Sequence, residues 1–179
     1  MTNYEMILAG FGGQGLLFTG KVLAYGGLIE GKELSWLPSY GPEMRGGTAS
    51  CTVILSDEAV GSPIVQTPNV LMVMNNPSFD KYEPTVAAGG KLFVDSTLVP
   101  TKSTRTDIDC FYVPATKLAT EIGNAGLANM VLLGAIVKQT KCISDETLVE
   151  ALHKVIPAKK ADLFDINMKA IEAGKAFEV

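Results

Sequence analysis

Four glycines fall within six residues near the start of this 179-residue chain, in Gly10-Phe11-Gly12-Gly13-Gln14-Gly15. Gly10, Gly12 and Gly15 carry the G-x-G-x-x-G spacing, with the apolar run Tyr4 to Ala9 before them and a helical pattern after them. At a strand-to-helix turn, glycines permit a tight bend and a close backbone approach. The helix N-terminus there offers free N–H groups and a positive dipole end to an anion. Two readings stay open, an anion site and a tight turn without a ligand. A dinucleotide site also wants an acid about 20 residues on, at the end of the second strand, for the ribose hydroxyl. Here that strand ends Trp36-Leu37-Pro38, and Glu30 and Glu33 lie before or at its start. NAD is therefore disfavoured, and a phosphate or pyrophosphate remains.

A second constellation is Ser39-Tyr40-Gly41-Pro42-Glu43-Met44-Arg45-Gly46-Gly47. Ligands of open α/β sheets bind outside the carboxyl ends of strands, and this segment follows the second strand, so it should lie near the glycine turn. Arg45 is a planar, permanently charged donor suited to a carboxylate or phosphate. Glu43 could pair with it or orient it, and Gly46 and Gly47 let the backbone approach. The alternative is a Glu–Arg pair that only orders a surface loop.

Other chemistry is poorly supplied. Cys51, Cys110 and Cys142 are far apart, no C-x-x-C occurs, and His153 is the sole histidine. That set cannot ligate an iron–sulfur cluster or a structural zinc, so no metal ligands are assigned. Each cysteine reads as a small core hydrophobe, and His153 as a surface residue. Asp95, at a strand end, reads as a site lining or as a cap or turn residue. Trp36 and Tyr40 read as a partner contact or as packing. No catalytic residue is assigned.

Fifteen basic residues face nineteen acidic ones, for a net charge of −4 with no Lys/Arg run, which argues against nucleic-acid binding. Hydrophobic residues make up 47% and charged residues 19%. That surplus fits a compact α/β core, or a surface partly covered by a partner. The longest apolar run, Met130 to Val137, is too short to span a bilayer. The N-terminus lacks a basic segment and a small-residue cleavage site. No membrane contact and a cytoplasmic location are expected.

The elements that must position these residues follow from periodicity. Tyr4 to Ala9 is a strand, Leu16 to Glu30 a helix with Gly31 as its cap, and Glu33 to Leu37 a second strand, a βαβ opening. Thr48 to Leu55, Val70 to Met74, Lys91 to Val94 and Cys110 to Val113 are further strands, and Val60 starts a short return strand. Helices are expected over Ala115 to Ile122, Asn129 to Thr140, Ser144 (as N-cap) to about Val155, and Ala158 to Gly174. The expectation is one domain over residues 1–179, an α/β three-layer Rossmann-like fold with a mostly parallel, mixed sheet.

The glycine turn, then Tyr40-Gly41-Pro42-Glu43-Met44-Arg45-Gly46-Gly47, then Asn129-Met130-Val131-Leu132-Leu133-Gly134-Ala135, resembles the gamma subunit of the 2-oxoacid:ferredoxin oxidoreductases (the pyruvate, 2-oxoglutarate and ketoisovalerate ferredoxin oxidoreductase family). The resemblance runs from Tyr4 to about Val155. It implies a single gamma-type domain within a cytoplasmic heteromer that also holds alpha, beta and delta-type subunits. The complex would convert a 2-oxoacid, CoA and oxidised ferredoxin into acyl-CoA, CO2 and reduced ferredoxin, and overall likeness points to 2-oxoglutarate. Thiamine diphosphate with Mg, iron–sulfur clusters and CoA would belong to the assembled complex, with none bound by this chain alone. It further implies cofactor-binding roles for Gly10, Gly12, Gly13, Gln14, Gly15, Tyr40, Glu43, Arg45, Gly46, Gly47 and Asn129. The residues agree with that division, since no G-D-G motif for a metal-bound diphosphate and no cluster ligands are present. The chain alone is expected to be colourless and inactive. The alternatives are an autonomous nucleotide-binding α/β enzyme and a scaffold subunit without a ligand. The apolar Asn129 to Thr140 helix suits either a subunit-facing helix or a core helix.

Overall fold

The computed structural model describes residues 3–39 and 48–178. The chain runs β1 (Asn3–Phe11), α1 (Leu16–Ile29), β2 (Glu33–Ser39), β3 (Thr48–Ser56), β4 (Val70–Val73), α2 (Asn76–Tyr82), β5 (Lys91–Asp95), β6 (Asp109–Val113), α3 (Ala115–Ile122), α4 (Ala128–Thr140), α5 (Asp145–Val155) and α6 (Ala161–Ala176). The strands form one sheet in the order β2-β3-β1-β4-β5-β6. β4, β5 and β6 pair parallel outward from β1, whereas β3 pairs antiparallel with both β1 and β2. The sheet is mixed, as the sequence predicts. β1 and β2 share a direction, but β3 lies between them, with Phe11 opposite Thr48 and Ser39 opposite Ser50.

Strand residues alternate between two cores. Met6 and Leu8 of β1, with Val70 and Met72 of β4, face α1 and α3 to α6. Ile7 and Ala9, with Leu71 and Val73, face a thinner layer that includes Phe79 of α2, Val65, and Val99 and Ile108 of the β5–β6 connection. Burial on both faces explains why β4 is a continuous apolar run rather than an alternating one.

One expectation fails, and two connections to which the sequence reading assigns no element take shape. α2 fills a stretch that the sequence reading leaves unassigned: Asn75 Oδ1 accepts from the Ser78 N–H at 2.8 Å, and Pro77 sits in the first turn. No strand starts at Val60, because residues 57–69 hold Gly61, Pro63 and Pro68, and Thr52 Oγ1 bonds the Pro63 carbonyl rather than a strand partner. The β5–β6 crossover is an irregular strap. Arg105 pins it, with Nε and Nη2 on Asp107 at 2.9 and 2.6 Å and Nη1 on the carbonyls of Glu83 and Val86 at 3.1 and 2.8 Å. The apolar helix α4 has every residue from Ala128 to Val137 buried within this chain, which is the core reading. No helix among the described residues is long and apolar enough to cross a membrane.

Candidate functional site

The chain leaves β1 toward β3 on one side and β4 on the other, so the strand order reverses at β1. The carboxyl end of such a strand opens onto a crevice where open α/β sheets bind ligands. The glycine turn occupies that position. Gly13 and Gly15 adopt φ of 89° and 78°, a left-handed conformation that side chains disfavour. Gly15 is the N-cap residue of α1, and no side chain caps the helix. Gly12 and Gly13 are exposed. A cavity of about 240 Å3 lies over the turn, lined by Phe11, Gly12, Gly13, Leu16, Leu17 and Ala49. Those side chains carry no charge, so the polarity they lend is that of the backbone alone.

Two side chains of the chain itself enter the turn. Gln14 Oε1 accepts the Phe11 N–H at 2.6 Å, and Gln14 Nε2 donates to the Met74 carbonyl at 3.2 Å. That carboxamide ties the end of β1 to the end of β4. Asn129, 4% exposed on the first turn of α4, donates from Nδ2 to the Gly15 carbonyl and to Thr19 Oγ1, both at 3.1 Å. Thr19 Oγ1 in turn donates to the Gly15 carbonyl at 3.1 Å.

The structure therefore brings Gly10, Gly12, Gly13, Gln14, Gly15 and Asn129 together at one end of the sheet. Tyr40, Glu43, Arg45, Gly46 and Gly47 lie outside the described residues. Their anchors, Ser39 and Thr48, are described, and Thr48 pairs with Phe11 beside the turn. The sequence reading gives Thr19 and Met74 no site role. Thr19 carries no local signal, because its partner is 110 positions away.

Asp95 is fully buried, and its carboxylate is consumed by Thr97 N–H and Thr116 N–H, both at 3.2 Å, and Thr116 Oγ1 at 2.5 Å. It joins the end of β5 to the first turn of α3, which is the cap reading. Burial pushes the Cys51 thiol up to about 12 and the Cys142 thiol up to about 11, so both behave as core groups and not as nucleophiles. Trp36 Nε1 is buried beside Cys51, and its N–H acts on the thiol against the larger effect of burial. His153 stacks on Phe164 with ring centroids 3.9 Å apart. No group of three or more potential metal ligands occurs among the described residues.

The sequence matches the family model described as pyruvate ferredoxin/flavodoxin oxidoreductase over residues 5–177. It is 42% identical over 167 residues to the ketoisovalerate oxidoreductase subunit VorA of Methanothermobacter thermautotrophicus, covering 93% of this chain and 35% of the relative. The chain thus spans about a third of that relative's length. It is 36% identical over 156 residues to the 2-oxoglutarate synthase subunit KorC of Methanocaldococcus jannaschii, covering 86% of this chain and 83% of that one. Among solved structures, the gamma subunit of a keto/oxoacid ferredoxin oxidoreductase from Geobacter sulfurreducens superposes with a TM-score of 0.82 at 32% identity, over 96% of this chain and 95% of that one.

Proposed function

Because this chain belongs to the pyruvate ferredoxin/flavodoxin oxidoreductase family, we propose that it is the non-cluster gamma subunit of a 2-oxoglutarate:ferredoxin oxidoreductase. The assembled enzyme would take 2-oxoglutarate, CoA and oxidised ferredoxin to succinyl-CoA, CO2 and reduced ferredoxin. Alpha, beta and delta-type subunits would hold the thiamine diphosphate with its Mg and the iron–sulfur clusters. The KorC likeness supports this substrate, since it spans most of both chains. The higher identity to VorA favours a second reading, a branched 2-oxoacid such as ketoisovalerate.

The observation that carries the site is the glycine turn at the point where strand order reverses, with Gly12 and Gly13 exposed on an uncapped helix. Its residues do not fit an iron–sulfur cluster, because Cys51 and Cys142 are buried and no cysteine among the described residues lines the cavity. They do not fit a metal-bound diphosphate either, because no carboxylate among the described residues lines the cavity. They do fit one anionic group. Backbone N–H groups of Gly12 and Gly13 and the first turn of α1 would bind a phosphate of CoA, or of the diphosphate whose Mg a neighbouring subunit carries. Arg45, with Glu43 orienting it and Tyr40, Gly46 and Gly47 beside it, would add the positive charge that the turn lacks.

The test is reconstitution with the neighbouring subunits and CoA-dependent viologen reduction across 2-oxoglutarate, pyruvate, ketoisovalerate and an aryl 2-oxoacid. We expect the highest kcat/KM with 2-oxoglutarate. A preference for ketoisovalerate would select the second reading. Arg45→Ala is expected to lower turnover or assembly by about ten-fold, the worth of one charge-assisted hydrogen bond. Arg45→Lys should recover only part of it if the contact is bidentate. Normal assembly and turnover in Arg45→Ala would remove Arg45 from the site.

A further inference from the structure

The geometry points to Gln14 and Asn129 as positioning residues, two carboxamides that hold the glycine turn in its ligand-ready shape without touching the ligand. This inference rests on the reading of the turn as an anion cradle. Gln14 uses both ends of its amide, accepting from the Phe11 N–H at 2.6 Å and donating to the Met74 carbonyl at 3.2 Å. It thereby clasps β1 to β4 across the crevice where the strand order reverses. The Phe11 N–H is consequently spent on the protein and not offered to a ligand. Asn129 reaches in from α4 and fixes the Gly15 carbonyl and Thr19 together.

The glycines corroborate this division. A Cβ at Gly10 would strike Gln14 Oε1, and a Cβ at Gly15 would strike Asn129 Nδ2. The two outer glycines of the motif are therefore fitted to the chain's own amides. A Cβ at Gly13 would meet nothing within 4 Å, so among the described residues space is left free over the middle of the turn. Preorganisation of this kind matters because a loop ordered before binding does not have to be ordered by the ligand.

A purely structural brace and a positioning brace make different kinetic predictions. Loss of a structural brace lowers the amount of assembled enzyme and leaves KM alone. Loss of a positioning brace raises the KM of whichever anionic substrate meets the turn. The experiment is steady-state kinetics of the reconstituted complex with Gln14→Ala, Gln14→Glu and Asn129→Ala, normalised to assembled complex, with CoA and the 2-oxoacid varied in turn. Gln14→Glu keeps the size of the side chain and its acceptor but cannot donate to Met74, so it reports even if an alanine variant fails to fold. We expect the KM for one of the two substrates to rise about ten-fold or more, with kcat per complex changed by less than about three-fold. Unchanged KM for both, with activity falling only in step with assembly, would overturn the inference. In that case Gly13→Ala separates the causes. If it raises KM, the brace alone is wrong; if KM is unchanged there too, the cradle reading falls with it.

Discussion

Helix α4 meets glycine in two places, and the two contacts work differently. In its middle, Gly134 packs on α6, where a Cβ would strike the Ile171 carbonyl oxygen; reciprocally, a Cβ at Gly174 would strike the Val131 carbonyl oxygen. Both obstacles are backbone, so nothing can rotate aside. At its first turn, Asn129 reaches Gly15, and the atom in the way is the end of a side chain that is there to hydrogen-bond. The first contact is shape, set by how closely two helices approach. The second is polar wiring of a surface turn whose central glycine, Gly13, faces open space. One residue type thus marks a packed interior and a prospective binding surface, and the neighbour decides which.

The largest effect should come from the packed contact. Alanine in a helix interior gains up to about 1 kcal/mol over glycine, so Gly134→Ala would be stabilising were the site open. Forcing backbone apart in a full core costs about 3 kcal/mol, and the clash should win. Urea denaturation of Gly134→Ala, and separately of Gly174→Ala, should show a lower midpoint at similar slope, a net loss of about 2 kcal/mol. An unchanged midpoint in either would mean that α4 and α6 separate easily, and the contrast with the turn would collapse.

Gly13→Ala is the matching test at the turn. No atom is in the way, so the only cost is holding alanine at φ 89°, about 1–2 kcal/mol. The melting temperature should fall by a few degrees, no more than for Gly134→Ala. A larger loss than that of Gly134→Ala would show that the turn is packed more tightly than its open surroundings allow.

What the sequence makes legible follows the same line. The turn is visible because its chemistry is backbone chemistry, and glycine spacing reports backbone directly. Its braces are not visible. Asn129 acts on Gly15 from 114 positions away, and within the sequence it is one polar residue opening an apolar helix. The strands of the sheet were readable from β-branched and apolar runs, but the direction of β3 was not, since Thr48 to Ser56 reads the same whichever way it pairs. The missed helix α2 is the instructive case. Asn75-Asn76-Pro77-Ser78 carries an N-cap residue and a first-turn proline, but the helix is too short to show the apolar periodicity that would confirm such a start. Asp95 left two readings open, and only the position of α3 decides between them.

The smallest effect concerns the rim of the packed region. Lys175, beside Gly174 on α6, bonds Asp145 at 2.8 Å and Glu172 at 3.1 Å, and Asp145 lies in the first turn of α5. The hydrogen bond from Lys175 holds the Asp145 carboxyl below its ordinary value of 3.8, against some opposing burial. For Lys175, burial pulls downward, but the bonds to Asp145 and Glu172 outweigh it and leave the amine above its ordinary 10.5. A depressed acid contributes stability that is present above its unfolded value and is lost as pH falls through the folded one. A raised base contributes below its unfolded value and loses that contribution as pH rises through the folded one. The pair should therefore add a constant increment between about pH 4 and pH 10, disappearing at either end. Both carboxylates are well exposed, so the increment is small, in the range of about 0–1 kcal/mol for surface pairs, and screened by salt. Asp145→Asn should lose it at pH 7 in low salt, and the variant and parent curves should converge as pH drops toward 3. The Gly134→Ala deficit should not change over that interval, because no titrating group contributes to it. Curves for Asp145→Asn that stay parallel into acid would show that the α5–α6 rim is held by shape as well, extending the packed region to the surface.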